Sequence, residues 1–150
     1  MTLGIAHQRA DGIVVIDLVR EAIPPFQTDI VTWEFAGVMR RYGITRAVSD
    51  RVGLGWVAKA FYTCGVALGY SSRTKSEIYL TALPMLGNRT IELLDNPRLR
   101  SQILNLERRV NRGGHESVDH PTGAAYHDDV ANAALGAAIE TLQRIRWAAA

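Results

Sequence analysis

The chain is short of the residues that would staple it covalently or anchor it in a bilayer. Its 150 residues include one cysteine, Cys64, which excludes an internal disulfide framework and any cysteine-built zinc site. An intracellular setting is the expectation. No apolar run approaches the roughly 18 residues of a membrane span, and the N-terminus lacks a signal-peptide pattern, so no membrane association is expected. Neither a glycine-rich phosphate loop nor a Gly-x-Ser-x-Gly elbow occurs, which argues against nucleotide hydrolysis and serine-hydrolase chemistry. Lysine is scarce as well. Lys59 and Lys75 are the only two among 17 basic residues, so almost all positive charge is arginine.

What is present is a globular balance: 47% hydrophobic and 21% charged residues exclude a disordered chain or a coiled coil. The length fits a single domain over residues 1–150. The net charge of +2 is only mildly basic. Arginine forks match phosphate oxygens and raise nucleic acid as a partner, although a GC-rich genome produces the same enrichment.

No internal repeat, low-complexity tract or linker divides the sequence. Thr2 to His7 reads as a strand, Ala10-Asp11-Gly12 as a turn and Ile13 to Val19 as a β-branched second strand, together an antiparallel hairpin closed off by Pro24-Pro25. Thr28 is the expected N-cap of a helix running to Tyr42, with Gly43 as its C′ residue. Ile44 to Asp50 reads as a buried strand, Leu54 to Thr63 as a helix and Val66 to Tyr70 as a strand. This alternation predicts an α/β fold with a parallel portion to its sheet. Further helices are expected over Thr74 to Leu86 and after Asn96-Pro97, and an arginine-rich hairpin or loop over Arg108 to Glu116. The last helix is expected from Asp128 to Trp147, its alanines and Gly136 lying close against a sheet.

Three groups of residues could carry chemistry. Asp50 ends a strand, where functional groups of open α/β sheets gather; it also reads as a turn aspartate before Gly53 and Gly55. Asp128 and Asp129 open the last helix, where the dipole favours negative charge, as in ordinary capping. A strand-end acid and a helix-start acid pair could converge to hold divalent cations through oxygen ligands, and two such ions would clamp a phosphodiester. Arg108, Arg109 and Arg112 could grip a phosphate backbone without reading bases, or simply form a solvated face. His115, His120 and His127 lack the compact spacing of a zinc site.

Asp11-Gly12-Ile13-Val14-Val15-Ile16-Asp17, Ser49-Asp50-Arg51, Lys75-Ser76-Glu77-Ile78-Tyr79, Ile91-Glu92-Leu93-Leu94-Asp95, Leu106-Glu107-Arg108-Arg109, Asp119-His120-Pro121 and His127-Asp128-Asp129, in that order, resemble the nuclease domain of bacteriophage terminase large subunits. The resemblance runs from Thr2 to about Leu142. It implies an RNase H-like mixed sheet flanked by helices, and a Mg2+- or Mn2+-dependent two-metal endonuclease that cuts double-stranded DNA during genome packaging. It also implies portal and small-terminase partners and the cytoplasm of a bacterial host, with a phage or prophage origin. By the same resemblance Asp50 corresponds to the second catalytic acid and Asp128 or Asp129, with Asp129 slightly favoured, to the acid of the final helix. Asn132 stands where many relatives carry an acid.

The resemblance further implies an N-terminally truncated domain. The family's first, central strand with its catalytic aspartate would precede Thr2, and the upstream ATPase domain is lacking. Cleavage by the chain as it stands is then expected to be poor. The strands at Leu3–Ala6 and Ile44–Ser49 are expected to pair with each other directly, to self-associate through open edges or to stay partly molten. Two other functions fit the same residues: a non-catalytic DNA-binding or packaging module, and a different RNase H-like nuclease such as a resolvase or transposase relative.

Overall fold

A computed structural model describes residues 1–50, 55–110, 113–114, 116–121 and 127–146, with side chains at the C-terminal end described to residue 142. Two compact units emerge, one formed by Ala22–Ser72 with Met1, the other by Thr2–Glu21 with Arg73–Ala150.

The second unit opens with the expected hairpin. β1 (Thr2–Gln8) and β2 (Val14–Glu21) pair antiparallel, with a register irregularity between Ile5 and Ala6. Asp11 makes the turn by accepting the Ile13 N–H at 3.1 Å, and Gly12 takes a positive φ of 88° that a side chain would resist. A short strand β5 (Ile91–Glu92) adds parallel to β2, so the sheet has the order β1-β2-β5 and is mixed.

Helix α5 (Asp129–Arg146) covers this sheet with the small residues anticipated for it. Ala131, Ala134 and Ala138 are completely buried, and Leu135 and Ile139 nearly so. The close approach is real: a Cβ on Gly4 of β1 would lie 2.2 Å from the Ala133 carbonyl oxygen, so only glycine lets this strand meet the helix backbone. Val14, Ile16, Ile78, Tyr79, Ile91, Leu99 and Val130 complete the core.

Helix α3 (Lys75–Gly87) begins with a capping box. Thr74 Oγ1 accepts the Glu77 N–H, and the Glu77 carboxylate accepts the Thr74 N–H at 2.6 Å. Helix α4 (Pro97–Leu104) is capped by Asn96, which accepts two backbone N–H groups at 3.0 Å, with Pro97 at its first position as expected. The arginine-rich segment is a hairpin of β6 (Glu107–Val110) and β7 (Glu116–Asp119).

In the first unit, α1 (Thr28–Arg41) packs with α2 (Trp56–Thr63), and β3 (Arg46–Ser49) pairs parallel with β4 (Ala67–Tyr70). Two expectations need correction here. The N-cap of α1 is Gln27, without a side-chain bond, and Thr28 is already helical; its hydroxyl is one residue too late to cap. The strand expected over Ile44 to Asp50 is shorter and lies half-exposed, because its alternate residues Arg46 and Val48 face solvent. β1 and β3 belong to different sheets, each with one partner strand among the described residues, so direct pairing between them is not the arrangement adopted. Among the described residues no helix is long and apolar enough to cross a membrane.

Candidate metal centre

Three element ends meet in the second unit: the first turn of α3, the end of β7 and the start of α5. They are fastened by polar contacts. The Val118 N–H donates to Ser76 Oγ at 2.9 Å, which ties β7 to α3. Gln102 of α4 accepts the Ala131 N–H at 2.9 Å, satisfying one of the donors that a helix start leaves open. Asp128 precedes the first turn of α5, and its carbonyl accepts the Asn132 N–H at 2.7 Å.

Asp128 is the buried member of the helix-start acid pair, with 5% of its surface exposed; Asp129 faces solvent. A buried carboxylate must be paired or hydrogen-bonded. Here the Tyr79 hydroxyl donates to Asp128 Oδ2 at 2.8 Å, and the Lys75 ammonium lies 3.1 Å from the same oxygen. Lys75 and Tyr79 are four residues apart on α3, and therefore on one face. The ammonium also donates to Asp119 Oδ1 at 2.6 Å, so one cation spans two carboxylates.

The charges respond to one another. Hydrogen bonding to Lys75 holds the Asp119 carboxyl below its ordinary range. Partial burial opposes the charge on Lys75, yet the two carboxylates outweigh it and the ammonium titrates above the usual lysine value. Burial, then the hydrogen bond to Asp128, pushes the Tyr79 phenol well up, so it remains a neutral donor.

His120 completes the group. Its Nδ1 lies 2.8 Å from the Pro121 carbonyl oxygen, which can only accept, so in the neutral ring the proton sits on Nδ1 and the lone pair on Nε2, 3.8 Å from Asp119 Oδ1. Asp119, His120 and Asp128 each offer a ligand atom, all within 4.8 Å of one another. Two carboxylates and an imidazole suit a divalent cation, and the Lys75 ammonium shows that positive charge is accommodated there. One turn beyond Asp128, the Asn132 side-chain oxygen is buried and has no hydrogen-bond partner among the described residues.

Asp119, His120, Lys75 and Tyr79 were not legible as site residues from the sequence. Two of the segments that carried the resemblance contain all four, but spacings of 40 residues and more hid their meeting. Asp50 lies in the other unit, exposed, directly after the end of β3. Arg108 and Arg109 sit exposed on the hairpin, and each has an acidic neighbour: Arg108 pairs with Glu116, and Arg109 with Glu107 at 2.8 Å. Arg112 and His115 lie outside the described residues, and His127 is exposed.

Similarity to solved structures bears on this geometry. The large terminase nuclease from thermophilic phage G20c matches with a TM-score of 0.65 and 14% sequence identity, over 93% of this chain and 81% of that one. The fold is that of a phage large-terminase nuclease, an RNase H-like fold. The same nuclease has been solved with bound magnesium, which matches at a TM-score of 0.63 and 14% identity over the same shares. The HK97 bacteriophage large terminase gives a TM-score of 0.67 at 15% identity, over 91% of this chain but 36% of that longer one. No protein-family model and no curated protein sequence matches the chain. At these identities the likeness concerns the terminase-nuclease fold itself.

Proposed function

We propose that the chain is the metal-dependent endonuclease domain of a phage or prophage terminase large subunit, acting on double-stranded DNA during genome packaging. The observation that carries the reading is the convergence of Asp119, His120 and Asp128 on one cationic position, at the start of the last helix of a terminase-nuclease fold. Asp119, Asp128 and the Nε2 of His120 would hold Mg2+ or Mn2+. When bound, such ions polarise the phosphodiester and lower the pKa of water.

The chain's own residues prepare that chemistry. Tyr79 fixes one Asp128 oxygen, because its phenol stays protonated and can only donate to a carboxylate. The Pro121 carbonyl fixes the His120 tautomer that leaves Nε2 free to coordinate. Burial of Asp128 keeps water from competing for its lone pairs. By the family resemblance Asp50 is a further required acid. The same resemblance slightly favours Asp129 as the acid of the final helix, but Asp129 is exposed, so the buried Asp128 takes that place and Asp129 the lesser role. The hairpin arginines Arg108, Arg109 and Arg112 would meet DNA phosphates, with portal and small-terminase proteins as the packaging partners in a bacterial cytoplasm.

The test is cleavage of linear duplex DNA with Mg2+ or Mn2+. Asp128→Asn should lower cleavage by roughly 100-fold or more, given that even groups behind a metal ligand are worth 10–100-fold. Asp50→Asn should do likewise, and Asp129→Asn should be milder. Binding without metal-dependent cleavage would leave a non-catalytic packaging module. Preference for branched DNA over linear duplex would point to a resolvase-like enzyme.

A further inference from the structure

Lys75 occupies an electrostatically awkward place. It is the first residue of α3, where the helix presents partial positive charge and a cation is unfavourable. The capping box serves the helix through Thr74 and Glu77 and asks nothing of Lys75. Residues that break a local rule are most often serving a site, and the ammonium of Lys75 reaches Asp119 at 2.6 Å and Asp128 at 3.1 Å.

We propose that Lys75 is a displaceable counter-cation, which holds Asp119 and Asp128 together until a divalent ion takes the same oxygens. The inference rests on the metal-binding reading above and adds a competitor built into the chain. A divalent ion shared by those oxygens at about 2.1–2.6 Å would meet the ammonium in the same space. Two cations there repel, so the lysine must leave. It is able to leave. Its side chain is 34% exposed, and a lysine is a compact charge on a flexible stem, unlike the planar fork of an arginine. The hydrogen bond from Tyr79 to Asp128 does not depend on it, so the carboxylate keeps its orientation after the exchange. Metal affinity is therefore set lower than the ligand set alone would give. In exchange, the repulsion between the two acids is relieved whenever divalent ions are scarce.

The experiment measures binding rather than cleavage. The 150-residue chain and its Lys75→Met, Lys75→Gln and Asp128→Asn variants are titrated with MnCl2 by calorimetry, and their melting temperatures are recorded with and without the ion. Lys75→Met should bind Mn2+ about fivefold or more tightly than the parent, melt lower without the ion and gain more on its addition. A Lys75→Met chain that folds only with Mn2+ would support the same conclusion, and Lys75→Gln should repeat the pattern. Binding by the parent that needs Asp128 but is no weaker than in both Lys75 variants would overturn the counter-cation and leave the metal reading standing. No binding by any of these chains would remove both. Lys75 variants that stay unfolded even with Mn2+ would make the lysine purely structural and overturn the proposal.

Discussion

The two sheets of the molecule use similar strands and reach different ends. β1 and β2 bury alternate residues, among them Leu3, Ile5, Val14 and Ile16, under a long alanine-rich helix. β3 and β4 bury none of their residues, and their unit also leaves Trp33, Trp56 and Tyr62 more than half exposed. Parallel pairs are usually covered on both faces. Among the described residues the two sheets differ in what packs on them: the long helix α5 lies along both β1 and β2, whereas the short helix α2 packs on β4. A glycine in each makes the difference measurable. Gly4→Ala drives a methyl into the Ala133 carbonyl, a backbone atom that cannot swing aside, and should cost about 3 kcal/mol or more in urea unfolding. Gly69→Ala on β4 meets its nearest atom, the Ala47 oxygen, at 3.9 Å and should stay within about 0.5 kcal/mol. Equal losses at the two positions would mean that the covered sheet is no tighter than the open one.

The same contrast between covered and open recurs at the two acids of α5. Asp128→Ala leaves the Tyr79 hydroxyl only the long contact to the residue-128 carbonyl oxygen, 3.4 Å away, and removes one of Lys75's two anions. Loss of stability should be about 1–3 kcal/mol, the cost of a buried donor left poorly satisfied. Asp129→Ala gives up only a favourable interaction with the helix dipole, at most about 1 kcal/mol. Adding Tyr79→Phe to Asp128→Ala should recover part of the loss, because removing both partners costs less than removing one. An additive double variant would show that the hydroxyl and the carboxylate are not coupled.

Much of the architecture was readable because its signals are local. The Asp11-Gly12 turn, the helix start at Thr74, the Asn96-Pro97 helix start and the alanine stripe of α5 each act within a few residues. The ordered motifs resembling terminase nucleases anticipated the fold that the solved structures share. Burial of β3 was misread because apolar residues do not reveal whether anything covers them. The candidate site was half legible. Asp128 and Asp129 stood out, but which of them turns inward depends on Tyr79, 49 residues earlier in the chain. Asp119 did not stand out, since its partner Lys75 comes from α3, 44 residues earlier in the chain. Long-range charge pairing leaves no periodicity in a sequence.

The smallest effect concerns the hairpin, an open region whose charges answer one another. Arg108 and Arg109 were read as phosphate contacts, yet each lies against a glutamate on the same hairpin. Exposed pairs of this kind contribute little stability, about 0–1 kcal/mol, so a phosphate can exchange for the carboxylate without unfolding anything. That exchange still releases fewer counterions than a free arginine would. Replacing both arginines with alanine should therefore flatten the dependence of DNA affinity on salt by less than the slope of about 2 expected for two unpaired contacts, and adding Arg112→Ala should deepen the change. The opposing variants sharpen the point. Glu107→Gln with Glu116→Gln frees both guanidinium groups and should tighten binding to duplex DNA of any sequence, most visibly at low salt. If neither the arginine nor the glutamate variants move the salt slope, the hairpin is a solvated face, and the phosphate contacts must come from arginines elsewhere on the chain.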